Sequence, residues 1–250
     1  MPTPAADAQA LPTPRLSHLV DVTAALAAHA EQHDRTADLP HAGLAVVHEA
    51  GLLTLTVERT WDHLGLRASR SDDVIFDRVP VPFGATLDLA EPGPPGADPG
   101  GLRAWNALGI AAIYLGVATA ARDWLTGYLR ERVPTNLGQP LASLPRFQSE
   151  VGVISARLFT ATTLVEAVAL AVDRGEQAGS AQPGIAKTVA TTAAIEAVQR
   201  AVALIGNAGL SRRNPLERHL RDVLCGRVHT PQDDVVLTSA GRAQLERNPL

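Results

Sequence analysis

Three short stretches of this 250-residue chain combine residue types suited to chemistry: His229-Thr230-Pro231-Gln232, Gly206-Asn207-Ala208-Gly209, and Arg132 just after Tyr128 and Glu131. An imidazole with a reference pKa of roughly 6.5 donates and accepts protons near neutrality, so His229 is suited to moving a proton at a reacting centre. The purely structural alternative has His229 bonded to the preceding helix and Thr230 serving as an N-cap. Small residues at 206–209 let main-chain amides approach a phosphate, yet two glycines at a helix end are also what an ordinary C-cap requires. From that motif alone the cap is the simpler reading. Arg132 offers a planar donor fork to paired oxygens, or a cation placed against the dipole of its own helix.

The elements that must position these groups are mostly helical. Asn214, Pro215 and Glu217 combine an N-cap, a first-turn proline and a reciprocal carboxylate, and Thr230, Pro231 and Asp233 nearly repeat the arrangement. Two helices therefore start in this stretch, with a kink near Gly226. Upstream, Leu102 to Arg132 predicts one helix of roughly 45 Å, ended by Pro134 and forming the spine of a bundle. Val151, Ile154, Leu158, Ala161, Val165, Val168 and Val172 alternate three-four spacing and form one seam. Ile185, Val189, Val198, Val202 and Ile205 continue the pattern after a turn over Gly179 to Gly184. Short links between such helices favour an antiparallel bundle.

Before Leu102 the pattern differs. Residues 1–14 are rich in Ala, Pro and Thr and predict a disordered leader. Leu16, Leu19, Val22 and Leu26 predict a first helix, and Leu44 and Val47 a second, starting near Pro40 and stopping at Gly51. Thr54 to Arg59 alternates, and Asp73 to Pro82 is β-branched and bounded by prolines, so both predict short strands. Residues 91–101, Glu-Pro-Gly-Pro-Pro-Gly-Ala-Asp-Pro-Gly-Gly, predict a linker.

Composition narrows the function class. A hydrophobic share of 46% and a net charge of -4 imply a soluble globular protein with the cytoplasm as its expected compartment. The 22 basic residues are dispersed, which argues against nucleic acid as a partner. No apolar run reaches the roughly 18 residues that would suggest a membrane span, and a basic-then-apolar leader is missing, so no membrane partner is expected. Cys225 is the only cysteine; it excludes an intrachain disulfide and predicts a small buried apolar residue. His18, His29, His33, His41, His48, His63 and His219 show no spacing with carboxylates that makes a metal site. Arg218, Arg221 and Asp222 predict a salt-bridged surface joining helix to helix or subunit to subunit.

The segment from Gly206 to Asp234 resembles the C-terminal end of the acyl-CoA dehydrogenase family, where a turn between the last two helices holds the catalytic group against a flavin. Two further blocks extend the resemblance. Residues 16–57, with His33-Asp34-Arg35, Leu39-Pro40 and Glu49-Ala50-Gly51-Leu52-Leu53, are similar to the family's first helices. Trp61 to Pro82 is similar to the last strands of its middle β domain, and residues 102–245 to its whole C-terminal bundle. The resemblance implies a mostly α fold: a C-terminal antiparallel bundle with a short N-terminal helical piece and a small β remnant. The implied boundaries are a leader at 1–14, an N-terminal fragment at 15–57, a β remnant at 58–90, a linker at 91–101 and the bundle at 102–250. Between the first two blocks only Glu58-Arg59-Thr60 stands where the family carries most of its β domain, one wall of its flavin site.

What the resemblance implies for individual residues follows from its motifs. Arg132 matches an arginine that pairs with the flavin pyrophosphate, often across a dimer interface. Gly206, Asn207 and Gly209 stand in the family's Gly-Gly-Asn-Gly loop, departing from it at the second and third positions. Phe147 and Gln148 match contacts near the adenine end, and Gln232 closes the flavin-facing turn. The family's catalytic glutamate, in Tyr-Glu-Gly-Thr, is replaced here by Thr230 within His229-Thr230-Pro231-Gln232. Trp105 and Asn106 occupy the alternative position near the start of the spine helix, so both carboxylate positions are vacant. A histidine in this turn resembles the branch of dibenzothiophene monooxygenase and the reduced-flavin-dependent hydroxylases, in which it helps protonate or stabilise the oxygenated flavin. The expected function is thus a flavin-dependent oxidoreductase, monooxygenase-like, with FAD or FMN as cofactor, His229 as catalytic residue and a small-molecule substrate. A homodimer or homotetramer and a separate flavin reductase are the expected partners. The alternatives are a non-catalytic helical oligomerisation module, and an acyl-CoA dehydrogenase acting on CH-CH bonds.

Overall fold

The computed structural model describes residues 55–76, 101–176 and 181–246. The predicted leader, the two predicted N-terminal helices, most of the linker and the second strand beyond Phe76 lie outside them. The chain divides into two compact units, Met1–Asp62 with Arg67–Val79, and His63–Leu66 with Pro80–Leu250.

In the first unit the two predicted strands are present as β1 (Leu55–Glu58) and β2 (Asp73–Phe76), paired antiparallel with Leu55 opposite Phe76 and Glu58 opposite Asp73. Their connection is tied by Asp72, which accepts the Trp61 N–H at 2.8 Å and the Arg70 Nε–H at 2.9 Å. Donation by the Trp61 amide, with the Arg70 guanidinium beside it, holds the Asp72 carboxyl below the usual carboxylate range.

The second unit is the helical bundle: α1 (Leu102–Glu131), α2 (Pro145–Asp173), α3 (Gln182–Ile205), α4 (Leu216–Leu224) and α5 (Asp233–Leu245). In α1, Leu108, Ala111, Leu115, Ala118, Ala121, Leu125 and Leu129 are buried at spacings of three or four residues, the signature of a helix that offers one stripe to its neighbours. The predicted seam of α2 is buried from Ile154 to Val168, with Val151 and Val172 partly buried at its ends. Ion pairs Arg157–Glu196 and Arg200–Glu150 join α2 and α3. One position climbs as the other falls, so these two helices run antiparallel.

The centre of the bundle is α3 rather than the longer α1, because α3 packs on α1, α2, α4 and α5. Its buried face is built mainly of Ala186, Ala190, Ala194, Ala197 and Ala201 with Ile195; of the expected set Val198 and Val202 are buried and Ile205 is partly buried, whereas Val189 is 40% exposed. Alanine lets helix axes approach closely, so the helix with the smallest side chains can be surrounded by the others. α1, α2 and the stretch Gln182–Ala208 are each long enough, with 18-residue windows of mean hydropathy 1.5, 1.5 and 1.3, to cross a membrane by length and composition alone. That corrects the expectation of no membrane-length apolar stretch. Ala and Val interspersed with polar residues raise the average without forming an unbroken run.

Both expected N-caps are displaced. α4 is preceded by Pro215 without a side-chain cap, and the Asn214 amide instead reaches back to donate to the Ala208 carbonyl at 2.8 Å. α5 is preceded by Gln232, also without a side-chain cap, while Thr230 lies two residues earlier, on the cis peptide to Pro231. The Asn214 amide is committed to the Ala208 carbonyl, and Thr230 stands two residues before the Gln232 that precedes α5.

Candidate functional site

The turn between α4 and α5 is held by side chains from both α1 and α3. Gly226 lies where a Cβ would stand 3.2 Å from two Thr191 side-chain carbons and 3.5 Å from the Tyr114 ring, so glycine lets the turn settle onto both helices. Lys187, fully buried in α3, donates to the Gly226 carbonyl at 2.8 Å and to Asp233 Oδ1 at 3.0 Å. One ammonium thus ties the two ends of the turn together. Thr188 adds a hydroxyl donor to the same Asp233 oxygen at 3.2 Å, and Asn106 of α1 donates to the Thr230 carbonyl at 3.2 Å.

Within this frame His229 is partly buried, and its Nδ1 lies 2.8 Å from the hydroxyl of Tyr114, which is fully buried in α1. The rings meet edge to face, with centroids 5.8 Å apart. Burial pushes the His229 pKa down, and the Lys187 charge pushes it the same way, so the ring is held towards its neutral form. Burial raises the Tyr114 pKa, with the charges of Cys225 and Asp222 adding to it, so the phenol keeps its proton.

The expected salt-bridged surface at Arg221 and Asp222 has a different partner from those anticipated. Arg221 pairs with Glu217 one turn earlier at 2.9 Å and donates to the Leu64 carbonyl at 2.9 Å, while Asp222 accepts the Leu66 N–H at 2.7 Å. These two residues fasten the segment 63–66 to α4. Cys225 is buried, as its residue type suggested, with Sγ 3.9 Å from His63 Nδ1. Among the described residues no three His, Cys, Asp or Glu side chains are grouped to hold a metal ion.

The other anticipated residues lie elsewhere. Arg132, exposed just past α1, has no side-chain partner among the described residues; it is 18 positions beyond Tyr114, about 27 Å along the helix. Phe147 is partly buried against the core, and the Gln148 amide donates to the Ala142 carbonyl at 3.0 Å. Gly206 closes α3 with φ of 57° and has open space where a Cβ would be. At Gly209 a Cβ would lie 2.9 Å from Val202 Cα, so this glycine is required for the loop to fold back onto α3. Asn207 and Gln232 are exposed. The antiparallel run of α2 and α3 brings the start of α2 to the end of α3, so Phe147, Gln148 and 206–209 share one end of that pair. His229 and Gln232 lie towards the other, near Lys187 at the start of α3.

Two residues of the turn's support escaped sequence reasoning. Tyr114 is 115 positions from His229, and nothing local marks the pairing. Lys187 did carry a signal: it is the single lysine in a chain with 22 basic residues. A composition that uses arginine everywhere else reserves lysine for the one place where a compact ammonium fits inside the core.

A family model described as "Acyl-CoA dehydrogenase, C-terminal domain" matches residues 108–233. The chain is 35% identical over 185 residues to YdbM of Bacillus subtilis, covering 73% of this chain and 47% of the relative. It is 32% identical over 185 residues to the amino sugar nitrososynthase DnmZ of Streptomyces peucetius, covering 69% and 43%. The solved structure of butyryl-CoA dehydrogenase from Megasphaera elsdenii superposes with a TM-score of 0.68 at 26% identity, covering 78% of this chain and 50% of that one. The chain therefore spans about half the length of the relatives it matches.

Proposed function

Because the chain belongs to the acyl-CoA dehydrogenase family, we propose that it is a flavin-dependent oxidoreductase with monooxygenase-like chemistry, using reduced flavin and oxygen on a small-molecule substrate. The observation that carries this reading is the turn itself. Its histidine is braced by Tyr114, and the carboxylate beside it, Asp233, is bound by Lys187 and Thr188. With its Oδ1 engaged by an ammonium and a hydroxyl, Asp233 is not presented to take a substrate proton, which disfavours α-proton abstraction at this turn. The similarity to a nitrososynthase supports the same direction.

The donors present fit a flavin. Arg132, with its guanidinium unengaged among the described residues, and the open backbone at Gly206 and Asn207 suit the pyrophosphate, with Phe147 and Gln148 towards the adenine. His229 and Gln232 suit the redox end of the cofactor. FAD or FMN would supply the two-electron chemistry and the activation of oxygen; the chain supplies binding, orientation and a hydrogen-bond donor. Since Arg132 and His229 are far apart in one copy, we assign the two groups of contacts to a dimer or larger homo-oligomer, with reduced flavin delivered by a reductase. Glu58-Arg59-Thr60 would then stand in place of most of the middle β domain. Titration with oxidised and reduced FAD and FMN tests the reading: fluorescence quenching at concentrations that saturate other family members is expected, and no quenching by either flavin overturns it.

The dehydrogenase reading draws on the butyryl-CoA dehydrogenase likeness. It predicts reduction of bound flavin by a short acyl-CoA without oxygen, and the monooxygenase reading predicts none.

A further inference from the structure

We infer that Tyr114 is a positioning residue that fixes His229 in the tautomer bearing its proton on Nε2, so that the turn offers an N–H donor to a ligand oxygen. The inference rests on the flavin reading only for the identity of that ligand. The tautomer follows from donor accounting. The Tyr114 hydroxyl is fully buried, and His229 Nδ1, at 2.8 Å, is its partner among the described residues. If Nδ1 carried the proton and donated, the tyrosine proton would have no acceptor there. With the tyrosine donating, both groups are satisfied and the imidazole proton must lie on Nε2. Nε2 has no partner among the described residues, so it is the nitrogen left to meet a ligand.

The surroundings keep the ring in that state. Lys187 from α3 faces the turn as a cation, and Asp233 at the start of α5 is bound to it. Tyr114 projects from α1, with Cys225 and Asp222 acting on its hydroxyl from the α4 side. The cation next to His229 opposes a second proton on the ring, and the Tyr114 donor occupies the nitrogen that would receive it. His229 thus acts as a fixed hydrogen-bond donor. The class of ligand it suits is an acceptor oxygen, carbonyl or anionic, in a flavin or a substrate.

The test is imidazole nitrogen NMR on the full chain labelled with 15N-histidine, with the His229 signals assigned by their loss in His229→Asn. The expected result is the Nε2–H pattern, with Nδ1 as acceptor, from pH 7 to 8. An Nδ1–H pattern in the unsubstituted protein overturns the inference. Tyr114→Phe keeps the ring on Gly226 and deletes the donor; it is expected to mix the tautomers and raise the His229 pKa. An unchanged tautomer and pKa in that variant also overturn it. Because Lys187 is the only lysine, 15N-lysine labelling gives one side-chain signal that reports whether the turn is still seated. Addition of reduced FAD separates the two readings. FAD that binds without moving the Nε2 signal overturns the donor role, whereas no FAD binding with the Nε2–H pattern intact supports the tautomer and defeats the flavin reading.

Discussion

The two sets of anticipated site residues differ in how completely a single chain builds them. Around His229 the fold supplies partners from α1, α3 and α5, and the lysine and tyrosine that hold the turn are wholly buried. Around Arg132 and 206–209 the polar side chains Arg132, Gln148 and Asn207 are exposed, and local structure accounts for several of the positions: Gln148 bonds Ala142, and Gly209 is buried by its packing on Val202. The first set has its geometry fixed by folding; the second leaves the Arg132 guanidinium and the Asn207 side chain facing solvent. Substitutions in the two should therefore separate stability from binding.

The largest effect is expected from Lys187→Met. It leaves the Asp233 carboxylate without its buried cation and the Gly226 carbonyl without its donor, at a cost of about 3 kcal/mol. Urea denaturation followed by circular dichroism should show a much lower midpoint. An unchanged midpoint would break the contrast, because it would mean that the turn is not tied through α3. Next comes Gly209→Ala. The added methyl meets backbone rather than a movable side chain, so about 2 kcal/mol of stability is expected to go. This outcome would show that one glycine of the anticipated phosphate loop is needed for folding, whatever binds there.

Which parts were legible in the chain follows the same division. The α2 seam was readable because its Ile, Leu and Val carry the hydrophobic period themselves, whereas the α3 face is built largely of alanine, whose hydropathy hardly distinguishes it from its neighbours. Asn214 and Thr230 suit a cap by type, but the Asn214 amide bonds the Ala208 carbonyl across the preceding loop and Thr230 lies two residues before the residue that precedes α5, and neither placement is marked in the local sequence. His229 was singled out by its setting in the final turn. Tyr114 and Lys187 were not, since their value lies in contacts 115 and 46 positions away, and a lysine normally indicates solvated surface.

A smaller effect should appear with pH. Burial, with the charge of Arg218 adding to it, pushes the His219 pKa down to about 4. Above the unfolded value of roughly 6.5 both states are neutral and the stability is fully present. Between there and about 4 the unfolded chain takes up the proton first, so stability falls as pH falls, and then levels off with respect to this group. A shift of this size carries about 3 kcal/mol, which the partial exposure of the ring reduces to about 2, and a loss of that order across the window is expected from denaturation midpoints. His219→Gln should flatten it, and His229 contributes in the same direction. An equally steep fall in the His219→Gln variant would assign the acid sensitivity to the His229 turn instead.

The smallest stability effect, under about 0.5 kcal/mol, is expected at Arg132→Ala, because the guanidinium is exposed and holds nothing among the described residues. Its consequence should appear in binding. A guanidinium committed to a pyrophosphate contributes a paired, charge-assisted contact, so its loss should weaken FAD by about tenfold or more at an unchanged unfolding midpoint. FMN lacks the pyrophosphate and should be affected less, which makes the FAD-to-FMN ratio the sharper measurement. If Arg132→Ala lowers the midpoint and leaves that ratio alone, the arginine belongs to the folded framework, and the difference between the two ends of the molecule would vanish.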